Sequence, residues 1–382
     1  MWMLGTLASL LLILLVLVDG FEVILQPRRV MHRYRYARFY YNSIWSIWRT
    51  LALRIPAGRR RETFLSVFGP LSMLGLFATW VFGLVFGFAL LHWSMSTPVH
   101  TPERWGTFPT YLYLSGTTFF TLGYGDVTPI ASLGRALAVV ESGLGFGFLA
   151  IIISYLPVLF QAFSRREMSI SLMDARAGSP PNAAQVLLRV ARSGSLAALN
   201  AFLVEWEQWA AELLESHLSF PVLSYYRSQH DNQSWLATLT AILDTSAFLI
   251  AEVKSSNTYQ AQLTFAMARH AAVDLTLILK TPPRAVDHDR LPAPQLQRMR
   301  DLLREAGLDL HDAASGDAKL AELRAMYELF VNALARRFLF SLPPILPEGE
   351  TADNWQRSAW MRRTPGIGSL PPPEIPDGSH FG

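Results

Sequence analysis

The sequence predicts an all-α membrane protein, with a bilayer-spanning first half and a helical soluble second half. Three observations carry that expectation. Residues 2–18, 63–93 and 130–163 are long apolar runs, the first two without any Asp, Glu, Lys or Arg. Beyond residue 164, apolar side chains recur with helical spacing, as at Leu199, Phe202, Leu203, Trp206, Leu213 and Leu214. Convincing alternating strand patterns are absent from the 382 residues. Charged residues make up 16% of the chain, below the roughly 25% usual for soluble domains. There is no cysteine, which excludes disulfides, thiolate metal sites and cysteine nucleophiles.

Residues 1–20 are expected to form an N-terminal transmembrane helix. The run Trp2–Val18 spans about 25 Å at ~1.5 Å per residue, the short end for a membrane helix. A cleaved signal peptide would need a basic start and a small-residue cleavage site. This segment has no basic residue and ends in Asp19-Gly20-Phe21-Glu22, which favours a retained helix. Residues 21–62 then form a basic loop holding ten arginines between 26 and 61 and no acidic residue in that stretch. The positive-inside rule places this loop in the cytoplasm and the N-terminus outside. Tyr34, Tyr36, Phe39, Tyr40, Tyr41, Trp45 and Trp48 interleave with the charges, as in an amphipathic helix lying among headgroups. Arginines with aromatics also suit nucleic acid, but a position between two spans argues against it. The position of the arginines outside any spanning run argues against a voltage sensor.

The span at 63–93 carries Gly83 and Gly87, a small-xxx-small pair that lets another helix approach. A polar loop, 94–108, holds Glu103 and the lone Arg104, marking the outer face. Residues 109–121 read as a helix opened by Pro109. Thirteen residues are too few to cross, so this helix should be re-entrant, its carbonyl end favouring cations in a central cavity. Next comes Thr-Leu-Gly-Tyr-Gly-Asp at 121–126. This hexapeptide resembles the selectivity filter of potassium channels, in which a strand aims successive carbonyls at a passing ion and so must visit φ > 0, as Gly123 and Gly125 can at little steric cost. Thr121 can add its hydroxyl, and Tyr124 can brace the strand from behind.

Residues 130–163 are expected to be a spanning helix, with Arg165-Arg166 anchoring its inner end and Pro157 kinking its last turns. Gly145-Phe-Gly147 imitates a dinucleotide fingerprint, which a spanning helix rules out. Glu141 is the one ionisable group deep in this run, and a membrane carboxylate is costly unless paired. It is expected behind the short helix, near Ser115 or Thr118; the alternative has it facing the cavity and attracting cations.

From about residue 64 to 163 the chain resembles the two-helix pore module of bacterial potassium channels. The resemblance rests on Thr117, Thr118, Thr121, the strand 122–125, Asp126, Gly134-Arg135 and a hinge-like Gly145. It implies a pore module at 63–163 with outer, pore and inner helices, assembled as a homotetramer in the cell (inner) membrane. It implies potassium as the permeant ion, held at Thr121, Leu122, Gly123 and Tyr124 with Gly125 completing the filter. No other cofactor is implied. Asp126, Thr118, Tyr113 and Glu141 would support the filter, and Gly145 and Pro157 would form the gating hinge. Two positions depart from the family pattern. Leu122 replaces the usual valine or isoleucine, and Leu114 stands where many relatives carry a tryptophan that bonds the aspartate, leaving Asp126 to Tyr113 or water.

Residues 164–340 read as an α-helical cytoplasmic domain. Further helical runs carry Trp235, Leu239 and Ile242, residues 261–279, and Leu320 to Leu334. The α/β nucleotide-binding domains and the β-roll of cyclic-nucleotide sensors do not fit this pattern. His270 and Asp274 fall one turn apart and suit a hydrogen-bonding pair better than a metal. Asp287-His288-Asp289 reads as solvated loop, and Asp231 or Ser234 as an N-cap. No nucleophile–base constellation suggests an enzyme, and the domain's ligand or partner is not identified. Residues 341–382 read as a proline-rich, disordered tail. Three functions follow: a potassium channel contacting K+ and lipid but no nucleic acid, a weakly selective cation channel, or a non-conducting receptor or scaffold.

Overall fold

The computed structural model describes residues 2–24, 36–102, 106–229, 232–254, 258–285 and 288–347. The chain divides into two compact units. The first comprises Met1–Leu51 and Val67–Gln161, the second Ala52–Ser66 and Ala162–Gly382.

In the first unit, helix α1 (Trp2–Ile24) is followed by α2 (Tyr36–Leu53). Next in the chain, α3 (Arg59–Ser66) belongs to the second unit, and α4 (Phe68–Ser94) returns to the first. Helices α1 and α4 run antiparallel because small residues let them approach. A Cβ on Gly87 would lie 2.7 Å from Ile13, on Gly83 2.9 Å from Val16, and on Gly5 3.0 Å from Ser94. The spanning run expected to end at Val18 continues to Ile24. Asp19 stays inside α1 because its carboxylate accepts from Trp80 Nε1 (2.9 Å) and from the backbone N–H of Ala37 (3.2 Å). Tyr40 on α2 donates to the carbonyl of Ser72 at 2.9 Å. The arginines at 28, 29, 33 and 35 lie outside the described residues.

A two-residue strand β1 (Val99–His100) pairs antiparallel with β2 (Thr128–Pro129), an element the sequence did not announce. Between them lies α5 (Phe108–Phe119), and after them α6 (Ser132–Ala177). Helix α6 corrects one expectation. Pro157 lies inside it, and it ends at Ala177 rather than at 163. The extension follows from a buried stripe at Phe163, Arg166, Glu167, Ile170, Met173, Asp174 and Ala177, which is helical spacing.

The second unit takes the last part of α6, then α7 (Ala183–Ser193), α8 (Leu196–Ser219) and a 3₁₀ turn at Pro221–Tyr225. Helices α9 (Trp235–Glu252), α10 (Thr258–Ile278), α11 (Ala293–Glu305), α12 (Ala313–Ala325) and α13 (Glu328–Phe338) complete it. Ser234 caps α9 by accepting from Ala237 N at 3.0 Å; Asp231 lies outside the described residues. Among the described residues, four helical stretches are apolar and long enough to cross a membrane, and α9 is one of them. However, 94% of α9 is buried against its own unit, compared with 17% of the apolar window in α6. It is therefore the core helix of this unit. The run expected from Leu320 to Leu334 is two helices, broken at Met326–Tyr327. There, Tyr327 donates its hydroxyl to Asp244 in a buried cluster with Arg290 and Glu328.

Two boundaries move. Residues 52–66, placed in a basic loop and at the start of a span, group with the second unit. The tail expected to be disordered from 341 is packed as far as 347. Ile345 and Leu346 are buried, and the carbonyl of Ile345 accepts from Ala184 N at 3.2 Å. Its remainder, 348–382, lies outside the described residues.

Candidate ion-conducting strand and its supports

The strand at 121–126 grows out of the C-terminal end of α5. Pro109 occupies the first turn of α5, where a missing N–H costs nothing. Thr107 N donates to Thr110 Oγ1 at 3.1 Å and fixes the start of the helix. At the other end, Thr121 N donates to Thr118 O (3.0 Å), while Leu122 N (2.8 Å) and Gly123 N (3.4 Å) both reach Thr117 O. The first half of the strand is thus tied to carbonyls that the end of a helix would otherwise leave without partners.

Beyond this anchor the backbone alternates. Thr121 (φ +57°), Gly123 (+57°) and Gly125 (+79°) are left-handed, whereas Leu122 and Tyr124 are not. Alternating the sign of φ lets successive carbonyls face one side of a strand. A helix or a regular β-strand, each with one sign of φ, does not combine that with an extended row. Sequence reasoning assigned positive φ to the two glycines and missed Thr121. A β-branched residue in this region is a strained outlier of the kind concentrated at functional sites. Nothing within 4 Å would meet a Cβ on Gly123 or Gly125, so both stand in open space. Leu122 (54%) and Tyr124 (69%) are exposed in the single chain.

The supports fall into two groups. At the end of the strand, Tyr113 OH donates to Asp126 Oδ2 at 2.9 Å, so the tyrosine holds the aspartate that a tryptophan at 114 would otherwise reach. Leu114 is buried instead. Behind α5, fully buried Glu141 on α6 meets Ser115 Oγ through Oε1. Ser115 Oγ also lies 2.7 Å from the carbonyl of Val85 on α4. This one serine therefore links α4, α5 and α6. Of the two partners expected for Glu141, Ser115 meets it and Thr118 contributes its backbone carbonyl to Thr121 instead.

Gly145 has a packing role that the hinge expectation did not include. A Cβ there would sit 2.2 Å from Phe119 O and 3.0 Å from its carbonyl carbon, so α6 passes directly over the last turn of α5. Pro157 lies within α6, twelve residues further on. In the second unit, His270 Nε2 and Asp274 Oδ2 are 3.5 Å apart. No group of three or more potential metal ligands occurs among the described residues.

The family described as ion channel matches residues 74–162, which contain α5, the strand and the first part of α6. Protein LctB of Bacillus caldotenax is 31% identical over 122 residues, covering 29% of this chain and 82% of that protein. Protein LctB of Geobacillus stearothermophilus is 33% identical over 94 residues, 22% of this chain and 69% of that protein. The uncharacterized membrane protein YdjJ of Bacillus subtilis is 26% identical over 197 residues, 47% of this chain, and the chain spans about half (52%) of its length. No solved structure matches.

Proposed function

The chain belongs to the ion channel family, and from that premise we propose that it is a homotetrameric channel conducting potassium passively across the cell membrane. The observation that carries this reading is the alternation of positive φ at Thr121, Gly123 and Gly125 in a strand anchored to α5. Carbonyls facing one side replace the water shell of a potassium ion at Thr121, Leu122, Gly123 and Tyr124, and ions pass from site to site by knock-on. One chain supplies one wall, so four are required. Tyr113–Asp126 holds the outer end of the strand, and Ser115 with Glu141 holds the pore helix from behind.

The ten arginines at 26–61 support an N-terminus outside and a cytoplasmic second unit. Movement of α6 between Gly145 and Pro157 opens and closes the inner mouth, under control of the helical unit. Membership of a channel family favours a non-enzyme, with potassium as permeant ion in place of a cofactor.

Reversal potentials of the reconstituted protein under bi-ionic potassium and sodium test the reading. A large shift toward the potassium equilibrium potential is expected, while equal permeability overturns potassium selectivity in favour of a weakly selective cation pore. Gly123→Asp places a side chain at φ +57° and a carboxylate in the ion path, and flux should vanish. Unchanged behaviour of that variant in cells would support a non-conducting receptor instead.

A further inference from the structure

The stretch 221–229, between α8 and α9 in the second unit, is held by three other elements. Arg166, in the last third of α6, donates from Nη1 to Leu223 O (2.8 Å) and from Nη2 to Tyr226 O (2.9 Å), and pairs with Glu167 at 3.1 Å. Glu167 in turn accepts from Gln229 N (3.2 Å) and Ser228 Oγ (3.3 Å). Arg227, in the same stretch, engages a different set of partners. Its Nη1 lies 3.3 Å from Glu62 Oε2 on α3, it donates to the carbonyls of Phe338 and Leu339 at the end of α13, and its guanidinium sits 4.1 Å over the Phe340 ring.

The position of these contacts in the chain gives them meaning. The chain passes between the units at 51–52, 66–67 and 161–162. Glu62 lies one helical turn before the second crossing, and Arg166 one turn beyond the third. Only Val67 separates α3 from α4, the outer helix, and α6 is the inner helix. A pore that opens at its inner mouth moves the lower end of the inner helix relative to the outer. The two sides of the link differ in strength. Arg166 and Glu167 are 2% and 9% exposed and share several hydrogen bonds with 223–229, whereas Glu62, which pairs with Arg227, is 28% exposed.

We infer that residues 221–229 couple the helical unit to the gate: Arg166 and Glu167 lock the segment to α6, and the Arg227–Glu62 pair is the separable joint to α3, which leads in the chain into the outer helix. This inference rests on the channel reading above. Arg227 and Glu62 are positioning residues, remote in sequence from the strand that selects the ion. A signal that moves α8, α9 or the end of α13 shifts 221–229, and through it the balance between two arrangements of α6 and α3.

Single-channel recording of the full-length protein in bilayers tests it with Glu62→Gln, Arg227→Gln, the double variant and the exchange Glu62→Arg/Arg227→Glu. Each single change is expected to shift the open-to-closed ratio about fivefold or more. The double variant should go no further than either single, the exchange should restore part of the wild-type ratio, and reversal potentials should not move. Additive single effects overturn the joint, as does an unaltered ratio in Glu62→Gln. That variant is decisive by itself where Arg227→Gln fails to assemble, because its side chain is partly exposed. A wild-type protein that carries no current overturns the channel reading, and the inference with it.

Discussion

His217 and Arg166 meet inside the second unit, where proton placement follows from the partners. Nδ1 lies 2.8 Å from Leu213 O, and a carbonyl only accepts, so Nδ1 carries the hydrogen. Nε2, 3.4 Å from Arg166 Nη1, then offers its lone pair to the guanidinium. Only a neutral imidazole satisfies both. Burial, with the charge of Arg166 beside it, pushes His217 from 6.5 down to about 3, and the Leu213 carbonyl opposes that shift. An unfolded chain takes up the proton near 6.5, whereas the folded one refuses it until far lower. The contribution of His217 to stability is therefore complete above pH 6.5 and is lost as pH falls toward 3, at about 1.4 kcal/mol per pH unit. His217→Gln keeps an amide that can donate and accept but does not titrate. Denaturant unfolding of the full chain between about pH 7 and 5 should show a shallower pH dependence in the variant. Equal slopes would mean that another group governs acid sensitivity.

Among the elements, the crossing of α6 over α5 is the closest approach behind the strand. Gly145→Ala would put a methyl group 2.2 Å from Phe119 O, and backbone on both sides leaves little room to yield. Overpacking of this kind costs about 1–3 kcal/mol. Because the strand is anchored to the turn that would be displaced, conduction should fall while the helical unit keeps its own thermal transition. Wild-type flux in Gly145→Ala would show that the two helices separate without consequence for the strand. The same elements mark how far the sequence could be read. The strand, the short helix and the Tyr113–Asp126 and Ser115–Glu141 contacts were legible because each depends on close spacing or on one conspicuous residue in an apolar run. The length of α6 was not, since Arg165-Arg166 reads as an interfacial anchor when Arg166 is in fact buried among carbonyls. Nor was the membership of 52–66 in the second unit, because the Glu62–Arg227 pair spans a sequence distance that local pattern does not report. The left-handed Thr121 was hidden for another reason: local preference argues against it, and only the row of carbonyls requires it.

For the whole molecule, the surface that matters is the exposed one along the strand and α6. Leu122 and Tyr124 stand exposed, Gly123 and Gly125 face open space, and on α6 Gly143 and Gly147 likewise meet nothing within 4 Å, while Phe146 is 71% exposed. Lipid tails would cover Phe146 but offer no partner for a row of backbone carbonyls, which cannot face hydrocarbon unpaired. In the proposed assembly, copies related by a closed rotation would bury the apolar flanks and turn the carbonyls toward a shared axis that an ion can occupy. The proposed four-fold assembly makes a quantitative prediction. Because every copy contributes a wall, a single Gly123→Asp chain should silence the complex that contains it. Equal co-expression of wild type and variant with random assembly should then leave about one sixteenth of the current, compared with about one quarter for a dimer and about one half for independent chains. Native mass spectrometry of the detergent-solubilised protein gives an independent measure, with a mass four times 42.8 kDa expected. A residual current near one half, with a mass of one chain, would require the carbonyls of the strand to be satisfied within a single copy.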